Sequence, residues 1–234
     1  MQAVILAGGR GRRLLPYTTV LPKPLMPLGD HPILEVILRQ LEHAGFSDVV
    51  ISTGYLHELI QAYLTANPHP GLTLRCSHEA EPRGTIGPLH LIPDLRETFM
   101  VMNGDILTDL DYRQLIEAHR KKGALATIAT YRREVMVDFG VLEHGKDLRI
   151  RAFREKPLYQ FDVSMGIYVF QRDVLDLVPR EKPFGFDNLM HILVERNAPV
   201  FSYPFDGYWL DIGRPDDYAR AMEEFGKYRD RFLP

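Results

Sequence analysis

QAVILAGGRGRRLLPYTTVLPKPLMPLG, residues 2–29, joins a short apolar run to a loop that is rich in glycine and in basic side chains. A short, β-branched apolar run that ends at two glycines is typical of a strand buried on both faces of a parallel sheet. A glycine-rich loop after such a strand can direct backbone N–H groups at phosphate, because glycine permits close approach and unusual φ and ψ angles. The stretch therefore predicts an α/β fold with an anion site at the end of its first strand.

The basic residues of this loop differ in the way they bind anions. Arg13 carries a planar guanidinium that can bind phosphate through two N–H groups, whereas Lys23 is a point charge on a flexible stem. Pro22 and Pro24 hold Lys23 on a stiff segment. Two familiar phosphate loops are excluded, because the third glycine of G-x-G-x-x-G is missing and no G-K-[ST] follows. A solvated surface loop is the alternative, but the combination of glycines, arginines and P-K-P favours a phosphate site.

Apolar runs alternate with helical stripes along the rest of the chain. Helices are predicted at residues 32–44, 57–64, 112–122 and 215–231, and strands at residues 48–53, 72–76, 98–105 and 124–130, before a β-rich region at residues 139–169. Strand, helix, strand at this spacing predicts right-handed βαβ units and a mostly parallel sheet. No linker, repeat or low-complexity tract divides the chain, so we expect one α/β domain with a β-rich insertion.

The composition narrows the class of partner. The 234 residues carry a formal net charge of −3, which argues against nucleic acid as a partner, because nucleic-acid-binding domains usually show a basic excess. The single cysteine, Cys76, excludes an internal disulfide and a cysteine-based metal cluster. No apolar run approaches the roughly 18 residues of a membrane span, and no basic leader precedes the first apolar run. We therefore expect a cytoplasmic protein that does not bind a membrane.

The opening stretch resembles the signature of the sugar nucleotidyltransferases, also called nucleoside-diphosphate-sugar pyrophosphorylases. The family pattern is close to G-G-x-G-T-R-L-x-P-x-T, followed by P-K-P and a P-[IL] step. The matching positions are Gly8, Gly9, Gly11, Arg13, Leu14, Pro16, Thr18, Pro22, Lys23, Pro24 and Pro32. Arg12 departs from the pattern, since the family usually has threonine there. The later motifs NGD (residues 103–105), FREKP (residues 153–157), SMGIYVF (residues 164–170) and GYWLDIGRPDDY (residues 207–218) also resemble those of the family.

The resemblance implies a fold and a reaction. The fold is a Rossmann-like three-layer sandwich with a mostly parallel central sheet and a β-rich sugar-binding insertion. A single domain would cover residues 1–234, with nucleotide bound by residues 1–130 and sugar by residues 131–234. The reaction joins an NTP to a sugar 1-phosphate and releases pyrophosphate. The family resemblance also implies a homo-oligomer, either a dimer or a tetramer. Because only a short segment follows the closing motif, we do not expect the left-handed β-helix of bifunctional acetyltransferases.

The resemblance also implies roles for individual residues. The catalytic residues would be Arg13, Lys23 and Asp105. The nucleotide would be bound by Leu6, Ala7, Gly8, Gly9, Gly11, Arg12, Arg13, Lys23, Glu79 and Gly84. The sugar phosphate would be bound by Asn103, Gly140, Glu155, Lys156, Ser164 and Gly166. Asp105 and Asp211 would bind Mg²⁺, a hard cation that typically takes one or two carboxylates together with substrate phosphates. Both aspartates follow strand-like runs, so we expect them to meet at one edge of the sheet.

The stretch SHEAEPRGTIGPL, residues 77–89, is similar to the base-reading loop of mannose-1-phosphate guanylyltransferases. An ionised carboxylate offers only acceptors, and guanine presents two adjacent donors, N1–H and the N2 amino group, which Glu79 could accept. We therefore predict GTP as the nucleotide and mannose 1-phosphate, or a related hexose or heptose, as the acceptor. Thymidylyl, uridylyl and cytidylyl transfer remain open, because Glu79 could instead be a solvated loop acid and Glu81 lies two positions away.

Two other classes of protein compete with this prediction. A GT-A-like glycosyltransferase also uses a nucleotide, a metal and a Rossmann-like sheet, but its D-x-D turn fits Asn103-Gly104-Asp105 poorly and it has no need of the opening loop. A non-catalytic regulatory subunit would be expected to have lost some of the charged residues, and Arg13, Lys23, Asp105 and Asp211 are all present. The sequence therefore favours an active nucleotidyltransferase.

Overall fold

A computed structural model describes residues 1–233 of the chain. Its strands are β1 (Gln2–Ala7), β2 (Pro27–Leu28), β3 (His31–Pro32), β4 (Asp48–Thr53), β5 (Thr73–His78), β6 (Thr98–Asn103), β7 (Ile106–Thr108), β8 (Ala126–Met136), β9 (Val141–His144), β10 (Ile150–Arg154), β11 (Leu158–Gln171), β12 (Val200–Phe205) and β13 (Trp209–Asp211). Its α-helices are α1 (Ile33–His43), α2 (His57–Ala66), α3 (Tyr112–Lys122), α4 (Phe186–Glu195), α5 (Pro215–Lys227) and α6 (Arg229–Phe232).

The central sheet has seven strands in the order β12-β8-β11-β6-β1-β4-β5. Strand β1 pairs in parallel with β4 and β6, and further parallel pairs join β4 to β5 and β8 to β12. Strand β11 is antiparallel to both of its neighbours, β6 and β8. The prediction of a mostly parallel α/β sheet is therefore confirmed.

Hydrophobic clusters cover both faces of this sheet. Successive side chains of a strand point to opposite faces, so Ile5 of β1 lies in a cluster with α1 while Val4 lies in a cluster with α4. Both side chains are fully buried. This two-sided burial explains why the runs of β1 and β4 are apolar throughout rather than alternating. The three layers of the predicted sandwich follow directly from it.

Strands β8 and β11 extend beyond the central sheet as a ribbon. Their register runs from Phe170 against Ala126 within the sheet to Leu158 against Met136 at the distal end, with an irregularity between Ser164 and Tyr168. The antiparallel pair β9–β10 lies in the connection between them. The β-rich region is thus partly an insertion, but it also supplies β11, an interior strand of the main sheet.

Two helical predictions differ from the structure. Helix α4 was not predicted, because its N-cap is Gly185 rather than a residue with a capping side chain. The three residues before the helix are a proline, a phenylalanine and this glycine, which do not indicate a helix start. The single helix predicted at the end of the chain is two helices, α5 and α6, which are separated at Tyr228 by a backbone with φ of −126°. Among the described residues, no helix is long and apolar enough to cross a membrane.

Candidate active site

The opening loop folds as a series of short 3-10 turns between β1 and α1. Gly11 has a φ of 58°, and a Cβ atom there would lie 2.8 Å from Cγ2 of Thr18. The Thr18 hydroxyl donates a hydrogen bond to the Gly11 carbonyl at 2.9 Å. Glycine is therefore required at this position by both backbone conformation and space. The turn that results directs the following arginines towards the end of β1.

A first cavity of about 280 Å³ lies at this end of the strand. Its lining includes predicted nucleotide-binding residues, namely Leu6, Ala7, Gly9, Gly11, Arg12, Arg13 and Lys23, together with Asp105 and Gly213. Gly8 does not line it, but packs between the cavity and Glu79. The loop therefore places cationic side chains and backbone groups around one space, as the sequence predicts.

Asp105 lies in the turn immediately before β7, and Asp211 is the last residue of β13, the strand that pairs with β7. Strands β7 and β13 pair with Asp211 opposite Ile106, and the Ile212 N–H donates a hydrogen bond to the Asp105 carbonyl at 2.9 Å. A Cβ atom on Gly213 would lie 3.4 Å from both the Arg13 guanidinium and Oδ2 of Asp211. The expected convergence of Asp105 and Asp211 at one edge of the sheet is therefore found, with Arg13 beside them.

The electrostatics of this group are uneven. Lys23 forms an ion pair with Oδ2 of Asp105, and Oδ1 of Asp105 is buried without a hydrogen-bond partner among the described residues. Desolvation raises the pKa of Asp211 above its usual value, the charge of Asp105 raises it further, and Lys23 and Arg13 oppose the shift. Two carboxylates that disfavour each other's charge form a place where an added cation is stabilised.

These observations fit a divalent metal. A buried carboxylate oxygen without a partner is costly unless a ligand satisfies it, and Asp105 and Asp211 supply hard oxygen atoms. Among residues 1–233, no group of three or more histidine, cysteine, aspartate or glutamate side chains could hold a metal without substrate. A pair of carboxylates completed by phosphate oxygens is the arrangement that Mg²⁺ commonly takes.

Glu79 directly follows β5 and packs against Gly8 of the opening loop, although it does not itself line the first cavity. Its Oε2 accepts a hydrogen bond from the Arg83 N–H at 2.9 Å, and its Oε1 faces Gly8 and Gly54. Burial raises the pKa of this carboxyl, and the bond from Arg83 opposes the shift. One oxygen therefore stabilises the turn that follows β5, and the other remains able to accept a hydrogen bond from a ligand.

Gly84 has a structural reason to be glycine. Its φ is 80°, and a Cβ atom there would lie 2.6 Å from the Phe184 carbonyl oxygen. That carbonyl also accepts hydrogen bonds from the N–H groups of Ile86 and Gly87, at 3.0 and 3.1 Å. The close packing fixes the loop of Glu79 against the segment before α4. Gly84 does not line the first cavity.

The predicted sugar-binding residues separate into two groups. Asn103 and Gly166 are adjacent, since a Cβ atom on Gly166 would lie 2.5 Å from Nδ2 of Asn103. The Ser164 hydroxyl accepts a hydrogen bond from the Gly166 N–H at 3.2 Å and lies 3.3 Å from the Tyr168 hydroxyl. These residues lie at the irregularity of β11, close to the end of β6.

The other predicted sugar-binding residues lie in the connection between the two strands of the ribbon. Gly140 packs against the Phe153 ring and lies near Oε2 of Glu155. Lys156 is exposed, has a φ of 42° and pairs with Asp138 at 3.3 Å. Neither Glu155 nor Lys156 lines the first cavity. The structure therefore does not bring these two side chains into contact with the aspartates.

A second cavity, which the sequence did not predict, adjoins the first. It is lined by Arg13, Tyr131, Arg132, Arg133, Glu134, Trp209, Leu210, Asp211, Arg214, Asp217 and Arg220. Arg13 and Asp211 are the residues closest to the site already described. The paired arginines after the strand ALATIAT were the available signal in the sequence, but their position beside β13 follows only from the fold.

Comparison with known proteins gives the family. The family model "Nucleotidyl transferase" matches residues 2–227. The chain belongs to this family. The UTP–glucose-1-phosphate uridylyltransferase of Synechocystis sp. is 33% identical to this chain, over 95% of the chain and 62% of the relative. The mannose-1-phosphate guanylyltransferase catalytic subunit beta of Drosophila pseudoobscura pseudoobscura is 33% identical over 94% of the chain and 61% of the relative.

Solved structures agree with the family. The crystal structure of HddC from Yersinia pseudotuberculosis has a TM-score of 0.76 and 27% identity, covering 96% of the chain and 99% of HddC. HddC has also been crystallised with GMP-PN, with a TM-score of 0.74 and 25% identity over the same shares of the two chains. The chain spans about three fifths of the length of the curated relatives it matches. Members of the family generally use a divalent metal.

Proposed function

We propose that the protein transfers a nucleotidyl group from an NTP to a sugar 1-phosphate, releasing pyrophosphate. The observation that carries the proposal is the buried Oδ1 of Asp105, which has no hydrogen-bond partner within residues 1–233 and lies beside Lys23, Arg13 and Asp211. A carboxylate pair next to cations is suited to a metal and a polyphosphate. The family supports a transfer reaction of this kind.

The chain would act through position and charge. Both reactants are anions, and each phosphate monoester alone carries a charge of about −1.5 to −2. Arg13 and Arg12 would neutralise the triphosphate, and Lys23 would exchange its contact with Asp105 for a contact with phosphate. The sugar-phosphate oxygen would then attack the α-phosphorus in line with the leaving pyrophosphate, and no covalent enzyme intermediate is required.

Asp105 and Asp211 would hold Mg²⁺, with phosphate oxygens completing its coordination. The ion would screen the negative charge that accumulates as pyrophosphate leaves. The chain's own contribution is to keep the Asp105 carboxylate buried and oriented through the pairing of β7 with β13.

We propose GTP as the preferred nucleotide. The free oxygen of Glu79 faces the opening loop, and a carboxylate can accept both donors of the guanine edge. Relatives named mannose-1-phosphate guanylyltransferases and HddC with GMP-PN support this choice. The uridylyltransferase relative supports UTP as a second candidate. Mannose 1-phosphate or a related hexose or heptose 1-phosphate would be the acceptor.

A matrix of nucleotides and sugars tests the proposal. ATP, CTP, GTP, UTP and dTTP are each incubated with several sugar 1-phosphates and Mg²⁺, and pyrophosphate release is measured. Asp105→Asn serves as the inactive control, and Asp176→Asn, at an exposed position with no hydrogen bond among the described residues, serves as the matched control. Release of a free nucleoside diphosphate would instead indicate a glycosyltransferase. No product with any pair would support a non-catalytic subunit.

A further inference from the structure

The second cavity has a volume of about 670 Å³. It opens beside the catalytic group, by which we mean Arg13, Lys23, Asp105 and Asp211. Besides the opening loop with Arg13, two separate parts of the chain, β8 and α5 with its N-cap, bring arginines to it. Arg132 and Arg133 come from the outer part of β8, Arg214 is the N-cap of α5, and Arg220 lies within α5. Because Arg13 lines both cavities, a molecule with its phosphate near Arg13 can extend from the first cavity into the second.

The charges of this lining do not balance. When Arg13 and Asp211 are assigned to the catalytic group, four arginines remain against the carboxylates of Glu134 and Asp217. The remaining lining therefore carries a net charge of +2. The whole chain has a net charge of −3, so this excess is local. A phosphate monoester carries nearly the opposite charge at neutral pH.

The arginines are only weakly held by other side chains. Arg132 pairs with Asp162 at 3.1 Å, but both side chains are more than half exposed, and such pairs contribute little. Arg220 lies 4.0 Å from Glu224. Arg133 and Arg214 have no salt bridge among residues 1–233. Surface arginines that merely interact with water have no reason to converge from separate elements on one cavity, whereas an anion site requires it.

The cavity also has a surface suited to a sugar ring. The rings of Tyr131 and Trp209 lie 5.3 Å apart. The Trp209 indole donates a hydrogen bond to the Met165 carbonyl at 3.0 Å, which fixes its orientation. An aromatic surface flanked by a few polar groups is the usual composition of a site for a small ligand. The ring would lie between Arg13 and the remaining arginines.

We infer that the acceptor is a sugar 1-phosphate with a second anionic group, a phosphate or a carboxylate, which the arginines of the second cavity bind. The inference rests on the proposed function. The second group takes no part in the reaction, whose bonds form and break only at the α-phosphorus. It would contribute to specificity, because a sugar 1-phosphate without a second anionic group leaves the arginines without a partner.

The test compares three acceptors with the preferred NTP: a hexose 1-phosphate, the hexose 1,6-bisphosphate and a hexuronic acid 1-phosphate. We expect kcat/KM for at least one of the two acceptors with a second anionic group to exceed that for the hexose 1-phosphate by about tenfold or more, as loss of a charged hydrogen bond implies. In Arg133→Gln with Arg214→Gln this ratio falls at least tenfold. In Arg196→Gln, an exposed position away from the cavity, it does not change. A comparison of phosphate with carboxylate identifies the second group.

Binding separates this inference from the proposed function. Trp209 is the only tryptophan of the chain, so its fluorescence can be titrated with each sugar phosphate in the absence of NTP. Equal affinity and equal kcat/KM for the hexose 1-phosphate and for the two acceptors with a second anionic group would overturn the inference while leaving nucleotidyl transfer intact. If no pyrophosphate is released with any acceptor, the proposed function fails. The fluorescence titration still decides whether the second cavity prefers a sugar phosphate with a second anionic group.

Discussion

Asp105 shows how far single residues of the site follow from the sequence. Its motif and its place after β6 predicted a metal-binding carboxylate near Asp211, and the pairing of β7 with β13 brings the two together. Lys156, whose role in binding the sugar phosphate stays a prediction, lies apart from this pair of aspartates for a physical reason. Its backbone has a positive φ and its side chain pairs with Asp138 in the exposed connection between the two strands of the ribbon. Short motifs predict the chemistry of a side chain better than the direction in which a ribbon carries it.

We expect Asp105→Asn and Asp211→Asn to lower the rate of pyrophosphate release by about two orders of magnitude or more, the scale seen when an electrostatic catalytic group is removed. The reason is loss of a charged oxygen ligand with little change in size. Unfolding midpoints should stay close to those of Asp176→Asn. Near-normal turnover in either variant at saturating Mg²⁺ would contradict the assignment. EDTA should stop the reaction, and added Mg²⁺ should restore it.

Arg13 allows a separate test of the phosphate loop. Arg13→Lys keeps the charge but loses the planar pair of N–H groups, so kcat/KM for the NTP should fall by about tenfold, and Arg13→Ala should lose more. Arg196→Ala, at an exposed position, is the matched control. Wild-type kcat/KM in Arg13→Ala would show that the opening loop does not bind the triphosphate.

Glu79 carries the prediction for the base. Glu79→Gln can keep the bond from the Arg83 N–H, but its amide places a donor against a guanine donor. An unmade buried hydrogen bond costs about 1–3 kcal/mol, so the ratio of kcat/KM for GTP to that for UTP should fall by about one to two orders of magnitude. Glu81→Gln, on the exposed part of the same loop, tests the alternative alignment. An unchanged ratio in Glu79→Gln would show that Glu79 does not read the base.

At the scale of elements, the strongest patterns were predicted closely. Helix α3 has the predicted bounds, because Asp111 caps its first turn and Gly123 ends it with a φ of 56°. Helix α4 lacks such a start signal, and the antiparallel placement of β11 depends on contacts distant in sequence. Local capping chemistry is visible in a single sequence, whereas the partner of a strand is not.

Helix α3 is docked on the sheet through a buried histidine. His119 is fully buried, and its Nδ1 lies 2.9 Å from the Thr127 hydroxyl of β8. Burial lowers the pKa of His119 to about 4, and the charge of Arg120 contributes. The unfolded chain binds a proton below about pH 6.5 while the folded chain does not. Stability should therefore fall as the pH decreases from about 7 towards 4.

Chemical denaturation at pH 7 and pH 5 tests this expectation. The drop in unfolding free energy should be smaller in His119→Gln than in the wild type, by up to about 2 kcal/mol. The comparison uses the change with pH, because the variant can also lose stability at pH 7. His191→Gln, on the exposed side of α4, should behave as the wild type. The same drop in all three proteins would show that His119 does not control the acid sensitivity.

At the scale of the whole molecule, the ribbon and the connection between its two strands are unusual for their exposed apolar side chains. Phe139 and Leu148 are 77% and 74% exposed, and such patches commonly mark an interface. Residues 131–163 carry seven basic and six acidic side chains, so two copies of this surface would not repel each other strongly. The expected homo-oligomer, which remains a prediction, would be formed through this surface.

Light scattering of the purified protein at micromolar concentration should show a dimer or a tetramer. Phe139→Ser with Leu148→Ser should shift the mass towards the monomer, because the contact would lose apolar area. Val194→Ser, where the side chain is 70% exposed on α4, should keep the wild-type mass. A monomeric wild type, or a double variant with unchanged mass, would contradict the prediction.

The strand order has a consequence for synthesis on the ribosome. The segment up to β6 can pair within itself as β5-β4-β1-β6, but the second neighbour of β6 is β11, which is made much later. When synthesis has reached the ribbon, the apolar strand β6, which is buried in the finished fold, therefore still has one unpaired edge. Such an edge is prone to pair with other chains. Chaperone demand should be highest during translation of this interval and should end once β11 leaves the exit tunnel.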